Sequence, residues 1–158
     1  MYDCLSIQGR LAVVIGGTSG IGRALAIGLA QRGADVVATG RRGAELDVTA
    51  DAIEAAGSRT LRRTADIRNR ASLDALRNAV VAEFGRVDIL VNAAGYTFRE
   101  PTVSVCEEKW SQLLDTNLTG VLRACQSFYA PLAAAGHGRI INIASLGSFL
   151  AFHQVAAY

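Results

Sequence analysis

Short apolar runs alternate with amphipathic stretches along this chain. Arg10–Ile15 (RLAVVI) is continuous, apolar and of strand length, which predicts a buried strand. Ile21–Gln31 carries a helical pattern, and Gly33 follows it as a C-terminal stop. Asp35–Thr39 (DVVAT) predicts a second strand, Glu45–Ala56 a helix closed by Gly57, and Ser58–Arg63 a weaker third strand. Arg70–Phe84 places Leu73, Leu76, Val80 and Phe84 on one helical face, with Gly85 after it. Val87–Asn92 (VDILVN) predicts the fourth strand. The spacing then predicts one long helix over Val105–Ala130, opened by a Ser104/Glu107 capping box and ended with the help of Pro131 and Gly136. Its stripe would be Trp110, Leu113, Leu114, Leu118, Val121, Leu122 and Cys125. Arg139–Ser145 (RIINIAS) is the fifth strand. Strands alternating with helices predict βαβ units, a parallel sheet and right-handed crossovers with helices on both faces. We therefore expect a Rossmann-like, doubly wound α/β fold, with residues 1–158 as one dinucleotide-binding domain that is incomplete at its C-terminal side.

Composition narrows the function classes. Apolar residues make up 51% of the 158 and charged residues 19%, too apolar for a disordered chain. A net charge of +2 without a basic block argues against nucleic acid as a partner. No run reaches bilayer-spanning length, and Met1-Tyr2-Asp3-Cys4 lacks the basic start and apolar core of a secretory signal. Cys4, Cys106 and Cys125 are odd in number and form no CxxC pair, so a reducing cytoplasm is the simplest setting. His137, between two glycines, reads as a solvated turn. His153 has no visible partner, and neither histidine is assigned to a metal.

The chemistry begins after the first strand, at Gly16-Gly17-Thr18-Ser19-Gly20-Ile21-Gly22, where a helix opens. A strand–glycine turn–helix junction suits a pyrophosphate. Glycine permits close backbone approach, and the new helix aims free N–H groups and its positive dipole end at the phosphates. The spacing is G-x-x-x-G-x-G at Gly16, Gly20 and Gly22, which resembles the short-chain dehydrogenase/reductase family. Ile15 stands where that family usually has threonine. Further stretches match in order. Asp66-Ile67 resembles the pair whose aspartate accepts from the adenine amino group. Asn92-Ala93-Ala94-Gly95 resembles N-N-A-G, with Ala93 in place of the second asparagine. Asn117, in Thr116-Asn117-Leu118-Thr119-Gly120, resembles the asparagine that distorts the long helix and holds a water in a proton relay. Ser145 and Tyr158, 13 residues apart, resemble the catalytic serine and tyrosine, with Ser148 as a competing hydroxyl.

The resemblance implies an oxidoreductase that passes a hydride between a nicotinamide cofactor and an alcohol or carbonyl carbon. Tyr158 would act as acid/base and Ser145 would orient the substrate oxygen. Coenzyme choice is read after the second strand. Thr39-Gly40-Arg41-Arg42 offers no carboxylate for a ribose 2′-hydroxyl, and its guanidinium groups could clamp a 2′-phosphate. NADP(H) is favoured, with Arg41 the better candidate, and NAD(H) stays possible. The cofactor set is thus Gly16, Thr18, Ser19, Gly20, Ile21, Gly22, Arg41, Arg42, Asp66, Ile67, Asn92, Ala93, Ala94 and Gly95. The catalytic set is Asn117, Ser145 and Tyr158.

The family's phenol is assisted by a lysine four residues past the tyrosine, which here falls after Tyr158, the last residue. We expect the natural polypeptide to continue, because ending there would leave the fifth strand as an unpaired edge. A chain truly ending at Tyr158 would show little turnover and only weak nucleotide binding. Two rivals stand beside the enzyme: a non-catalytic nucleotide-binding module, and an S-adenosylmethionine-dependent methyltransferase. The latter would want an acid where Arg41 sits and has no use for Ser145 with Tyr158. The substrate is a small molecule, with sugar acids and 3-oxoacyl compounds both open. Homo-oligomerisation through the long helix is implied by the resemblance alone.

Overall fold

The computed structural model describes residues 6–158, so Cys4 and the N-terminal tetrapeptide lie outside the described residues. The apolar runs form a four-stranded parallel sheet of β1 (Leu11–Ile15), β2 (Asp35–Thr39), β3 (Ile89–Asn92) and β4 (Arg139–Asn142). Its order is β2-β1-β3-β4. β1 pairs with β2 from Leu11↔Asp35 to Ile15↔Thr39 and with β3 from Ala12↔Ile89 to Ile15↔Asn92.

Helices cover both faces, as the alternation predicted. Along β1, Leu11, Val13 and Ile15 enter one apolar cluster, while Ala12 and Val14 enter the other. That division follows from the two-residue period of a strand. The first cluster takes Leu73, Leu76 and Val80 from α3 (Arg70–Phe84) and Ala124, Phe128 and Leu132 from α5 (Gly120–Ala134). The second takes Ala26 and Ala30 from α1 (Gly20–Gln31) and Ile53 from α2 (Gly43–Ala55). The chain winds outward from β1 to β2, then crosses back to β3 on the other side. β1 and β3 therefore diverge in direction of winding, and a crevice opens beyond their C-terminal ends.

Three expectations need correction. Ser58–Arg63 forms no strand. It runs extended beside β2, where Val36 N–H donates to Arg59 O at 3.0 Å and side chains provide the other links. Asp35 Oδ1 accepts from Arg59 N–H at 2.9 Å and Thr39 Oγ1 donates to Arg63 O at 2.7 Å, so a regular ladder does not build. β4 is also shorter than expected, ending at Asn142, and β3 begins at Ile89.

The long helix is likewise not continuous. It divides into α4 (Glu107–Leu114), a π turn at Asp115–Thr119, and α5, which runs through Pro131 to Ala134. The capping box is absent: Cys106 is the N-cap of α4, and Ser104 Oγ donates to Pro101 O at 2.9 Å. An inserted residue turns everything downstream by roughly 100° about the helix axis, since an α-helix has 3.6 residues per turn. The expected stripe therefore breaks. Leu113 is buried before the turn, Leu118 and Leu122 at and beyond it are exposed, and α5 buries Ala124, Ser127, Phe128 and Leu132 instead; Trp110 is exposed too, ahead of the turn and independently of it.

At the opposite end of the sheet from the crevice, Asp88 is 1% exposed. Its Oδ2 accepts from Leu11 N–H at 2.8 Å, while Oδ1 faces Arg86, Arg10 at 3.5 Å and His137 Nε2 at 3.1 Å. His137 is thus tied to the sheet rather than simply solvated. Among the described residues, no helix is long and apolar enough to cross a membrane.

Candidate active site

A cleft of about 1090 Å³ lies at the crevice where the winding reverses. Every candidate from the sequence lines it: Gly16, Thr18, Ser19, Gly20, Ile21 and Gly22 from the glycine turn; Arg41 and Arg42 after β2; Asp66 and Ile67; Asn92, Ala93, Ala94 and Gly95 after β3; and Asn117, Ser145 and Tyr158. Ser148 lines it too. Residues from seven separate stretches thus converge on one space, and four of these stretches follow directly on strands whose C-terminal ends share one edge of the parallel sheet.

The glycine turn is shaped by contact. Gly16 has φ +82°, and a Cβ built there would lie 2.5 Å from Ala94 N. A Cβ on Gly22 would lie 2.2 Å from Gly16 O. The backbone of the turn is thereby folded directly against the loop after β3. Ser19, the N-cap of α1, makes no side-chain capping bond, and α1 has no acidic residue in its first turn. Its leading N–H groups are available to an anion, as a diphosphate requires. Thr18 is buried and packs against Gly40.

The two arginines after β2 differ. Arg42 pairs with Glu45 at 2.8 Å, whereas Arg41 makes no salt bridge among the described residues. Asp66 is held by Arg68, which sequence reasoning did not single out. The Arg68 guanidinium hydrogen-bonds the Asp66 carboxyl and keeps it below the usual carboxylate range, against the opposing push of burial. A cation two residues from an acid was the only signal in the sequence.

Asn117 sits within the π turn, where the resemblance had placed a helix distortion. Its Nδ2 donates to Tyr96 O at 2.8 Å and its Oδ1 accepts from Tyr96 N–H at 3.1 Å. The amide thus clamps the backbone that follows Gly95. Asn92 is buried; its Nδ2 donates to Asn142 Oδ1 at 2.8 Å, and its Oδ1 has no partner among the described residues. Neither Tyr96 nor Asn142 was singled out from the sequence, because both are recognised only through these long-range bonds.

At the far end, Ser145 leads a 3₁₀ turn at Leu146–Ser148, and its Oγ accepts from Gly147 N–H at 3.1 Å. One lone pair is therefore occupied while the hydroxyl hydrogen remains available to donate. A Cβ built on Gly147 would lie 3.4 Å from the Tyr158 ring and 3.5 Å from Ser145 Oγ, so the serine oxygen and the tyrosine ring face the same small space. Among the described residues, no group of three His, Cys, Asp or Glu side chains gathers as a metal site.

Comparison with known proteins agrees with this architecture. The chain is 40% identical to 2-dehydro-3-deoxy-D-gluconate 5-dehydrogenase of Escherichia coli, over 100% of its own length and 62% of that protein's. It is 34% identical to the 3-oxoacyl-[acyl-carrier-protein] reductase of Vibrio cholerae, over 90% and 57% of the two lengths. A variant of actinorhodin polyketide ketoreductase solved with NADPH superposes with a TM-score of 0.91 at 36% identity, covering 95% of this chain and 58% of that one. The chain thus spans about three fifths of the length of the curated relatives it matches. The family model for short chain dehydrogenases matches residues 10–158, and this chain belongs to that family of oxidoreductases.

Proposed function

We propose that the cleft binds NADP(H) in an extended pose and that the protein interconverts an alcohol and a carbonyl compound. The diphosphate would rest on the Gly16–Gly22 turn and the α1 N-terminus, the adenine near Asp66 and Ile67, and the 2′-phosphate at Arg41. The nicotinamide supplies the hydride acceptor or donor. Ser145, with its hydroxyl hydrogen free, would donate to the substrate oxygen. Tyr158 would exchange the proton at that same oxygen. Asn117 would act through the loop it clamps, keeping Tyr96 and Gly95 at the cleft wall. The observation that carries this reading is the placement of the glycine turn, its backbone packed against the loop after β3, and the Ser145–Tyr158 pair in one cleft. Similarity to both a sugar-acid dehydrogenase and a 3-oxoacyl reductase supports a carbonyl or alcohol compound as substrate, with sugar acids and 3-oxoacyl compounds both open. Exposed Trp110, Leu122 and Tyr129 support the self-association that the resemblance implies.

Titration with NADPH and NADH tests the cofactor assignment. Arg41→Ala is expected to weaken NADPH about 30-fold, the scale of one or two lost charge-assisted hydrogen bonds, and to leave NADH unchanged. NADH binding tighter than NADPH in the wild type overturns the assignment. For the chemistry, a panel of carbonyl compounds is followed by NADPH oxidation. Tyr158→Phe is expected to cut that rate by about 10³-fold with NADPH affinity unchanged. Nucleotide binding with no carbonyl reduced would leave a binding module instead.

A further inference from the structure

Tyr158 stands in a stretch with no regular element after the 3₁₀ turn at Leu146–Ser148, so tertiary contacts must place it. Among the described residues, one hydrogen bond ties residues 150–158 to a distant part of the chain: Gln154 O accepts from Glu100 N–H at 2.8 Å. Gln154 is also the one non-glycine residue with positive φ among the described residues, at 61°. An L side chain crowds the backbone in that region, so the conformation persists only where surrounding contacts hold it. The bond from Glu100 is such a contact. A second turn follows directly, in which Tyr158 N–H donates to Val155 O at 3.0 Å. The direction the chain takes at Gln154 thus decides where the second turn presents the phenol.

Glu100 is itself anchored. Its Oε2 accepts from Lys109 Nζ at 2.6 Å, and Lys109 lies on α4 with its ammonium 6.0 Å from the Phe98 ring centroid. At the other end of the same loop, Asn117 holds both backbone groups of Tyr96. The loop after Gly95 is therefore fastened twice to one helical rod, at Tyr96 by the π turn and at Glu100 by α4. The tyrosine segment hangs from the Glu100 end. An ion pair this open to solvent adds little to stability, but here it steadies the donor that holds a strained turn. We infer that Lys109, Glu100 and Gln154 are positioning residues for Tyr158, a brace from α4 that sets the phenol against Ser145. This rests on the proposed reaction. The Tyr158 ring and Ser145 Oγ meet around Gly147, where an added Cβ would lie 3.4 Å and 3.5 Å from them. A phenol displaced by about 1 Å from that place costs on the order of 10²-fold in rate.

The test follows NADPH oxidation by the full-length chain on a carbonyl compound that the wild type reduces, with NADPH affinity titrated alongside. Proline locks φ at about −65°, and Gln154 N–H donates no hydrogen bond among the described residues, so Gln154→Pro removes the turn and little else. It is expected to lower kcat about 10²-fold with NADPH affinity kept within about twofold. Gln154→Asn, which tolerates the left-handed region, keeps kcat within about threefold of the wild type. Lys109→Met leaves the backbone untouched and is expected to lower kcat about tenfold, while Lys109→Arg restores it. In a Tyr158→Phe background Lys109→Met has no further effect, because the brace has no phenol left to place. Wild-type kcat in Gln154→Pro or in Lys109→Met overturns the inference. So does a Lys109→Met that slows Tyr158→Phe by the same factor as the wild type, which is what a general loss of structure gives. If Gln154→Pro loses NADPH binding along with its fold, the Lys109 variants decide alone. A wild type that binds NADPH and reduces no carbonyl compound removes the proposed reaction and this inference together.

Discussion

Gly16→Ala is expected to abolish measurable NADPH binding and to lower folding stability by about 3 kcal/mol. Two costs add at this position. The residue sits at φ +82°, where a Cβ meets its own backbone, and that Cβ would stand 2.5 Å from Ala94 N and 2.6 Å from Ala94 Cα. Backbone atoms cannot swing aside as the end of a side chain can, so the turn must lift away from the β3 loop. Lifting it moves the N–H groups that would hold a diphosphate. Gly20→Ala makes the contrast. Gly20 also has positive φ, at +52°, but an added Cβ meets nothing within 4 Å, so only the backbone strain of about 1 kcal/mol is expected. Urea denaturation measures the stabilities and fluorescence titration the binding. A Gly16→Ala protein with wild-type affinity for NADPH would show that the turn does not cradle the phosphates.

Asp88→Ala is expected to cost about 3 kcal/mol at neutral pH, although Asp88 lies at the other end of the sheet from the cleft. The substitution strands the Leu11 N–H inside the sheet and releases Arg86, Arg10 and His137 from a shared carboxylate. The two arginines and His137 are partly exposed, so their share is screened, and the loss of the buried acceptor dominates. Asp88→Asn keeps an oxygen for Leu11 and should cost about half as much. The pH dependence follows from the same contacts. Burial pushes the Asp88 carboxyl up, but hydrogen bonds from Arg86 and Leu11 and the charges of Arg86 and Arg10 hold it below its ordinary value. Its charged form is therefore favoured in the folded state. The stabilisation is complete above the unfolded carboxylate value of about 3.9 and is lost as pH falls through the lower folded value. Denaturation curves between neutral and acid pH should show a shallower acid loss in Asp88→Asn than in the wild type. Parallel pH profiles would remove Asp88 from the acid response.

The candidate site was legible where its chemistry is local. Gly16, Gly20 and Gly22 announce a turn because glycine tolerates what each position asks: positive φ at Gly16 and Gly20, and close backbone approach at Gly16 and Gly22. Arg41 announces itself because the end of β2 is a fixed station in a parallel sheet. Arg68 was passed over for the opposite reason. Nothing about an arginine two residues after an aspartate says that it will fork onto both oxygens until the Ser72 and Asn69 contacts pin the backbone between them. His137 is an exposed turn residue, as its place between two glycines suggested, but its contact with Asp88 could not be read because the two lie 49 positions apart.

By itself, the amino-acid sequence determined the alternation of strands and helices, the parallel sheet, the glycine turn and the serine–tyrosine spacing. Each of these depends on residue period, on φ preference or on short-range order. The resemblance placed a distortion of the helix after β3 at Asn117, but only the tertiary structure decided what that distortion does. The π turn at Asp115–Thr119 rotates α5 so that Ala124, Phe128 and Leu132 face the sheet, and Asn117 reaches Tyr96 across 21 positions. It also decided that Ser58–Arg63 would lie beside β2 without joining the ladder, where the side chains of Asp35 and Thr39 take bonds that a strand would have made. Local patterning sets which segments can bury an apolar face. Only packing among distant segments settles which face is buried and which polar groups are satisfied there.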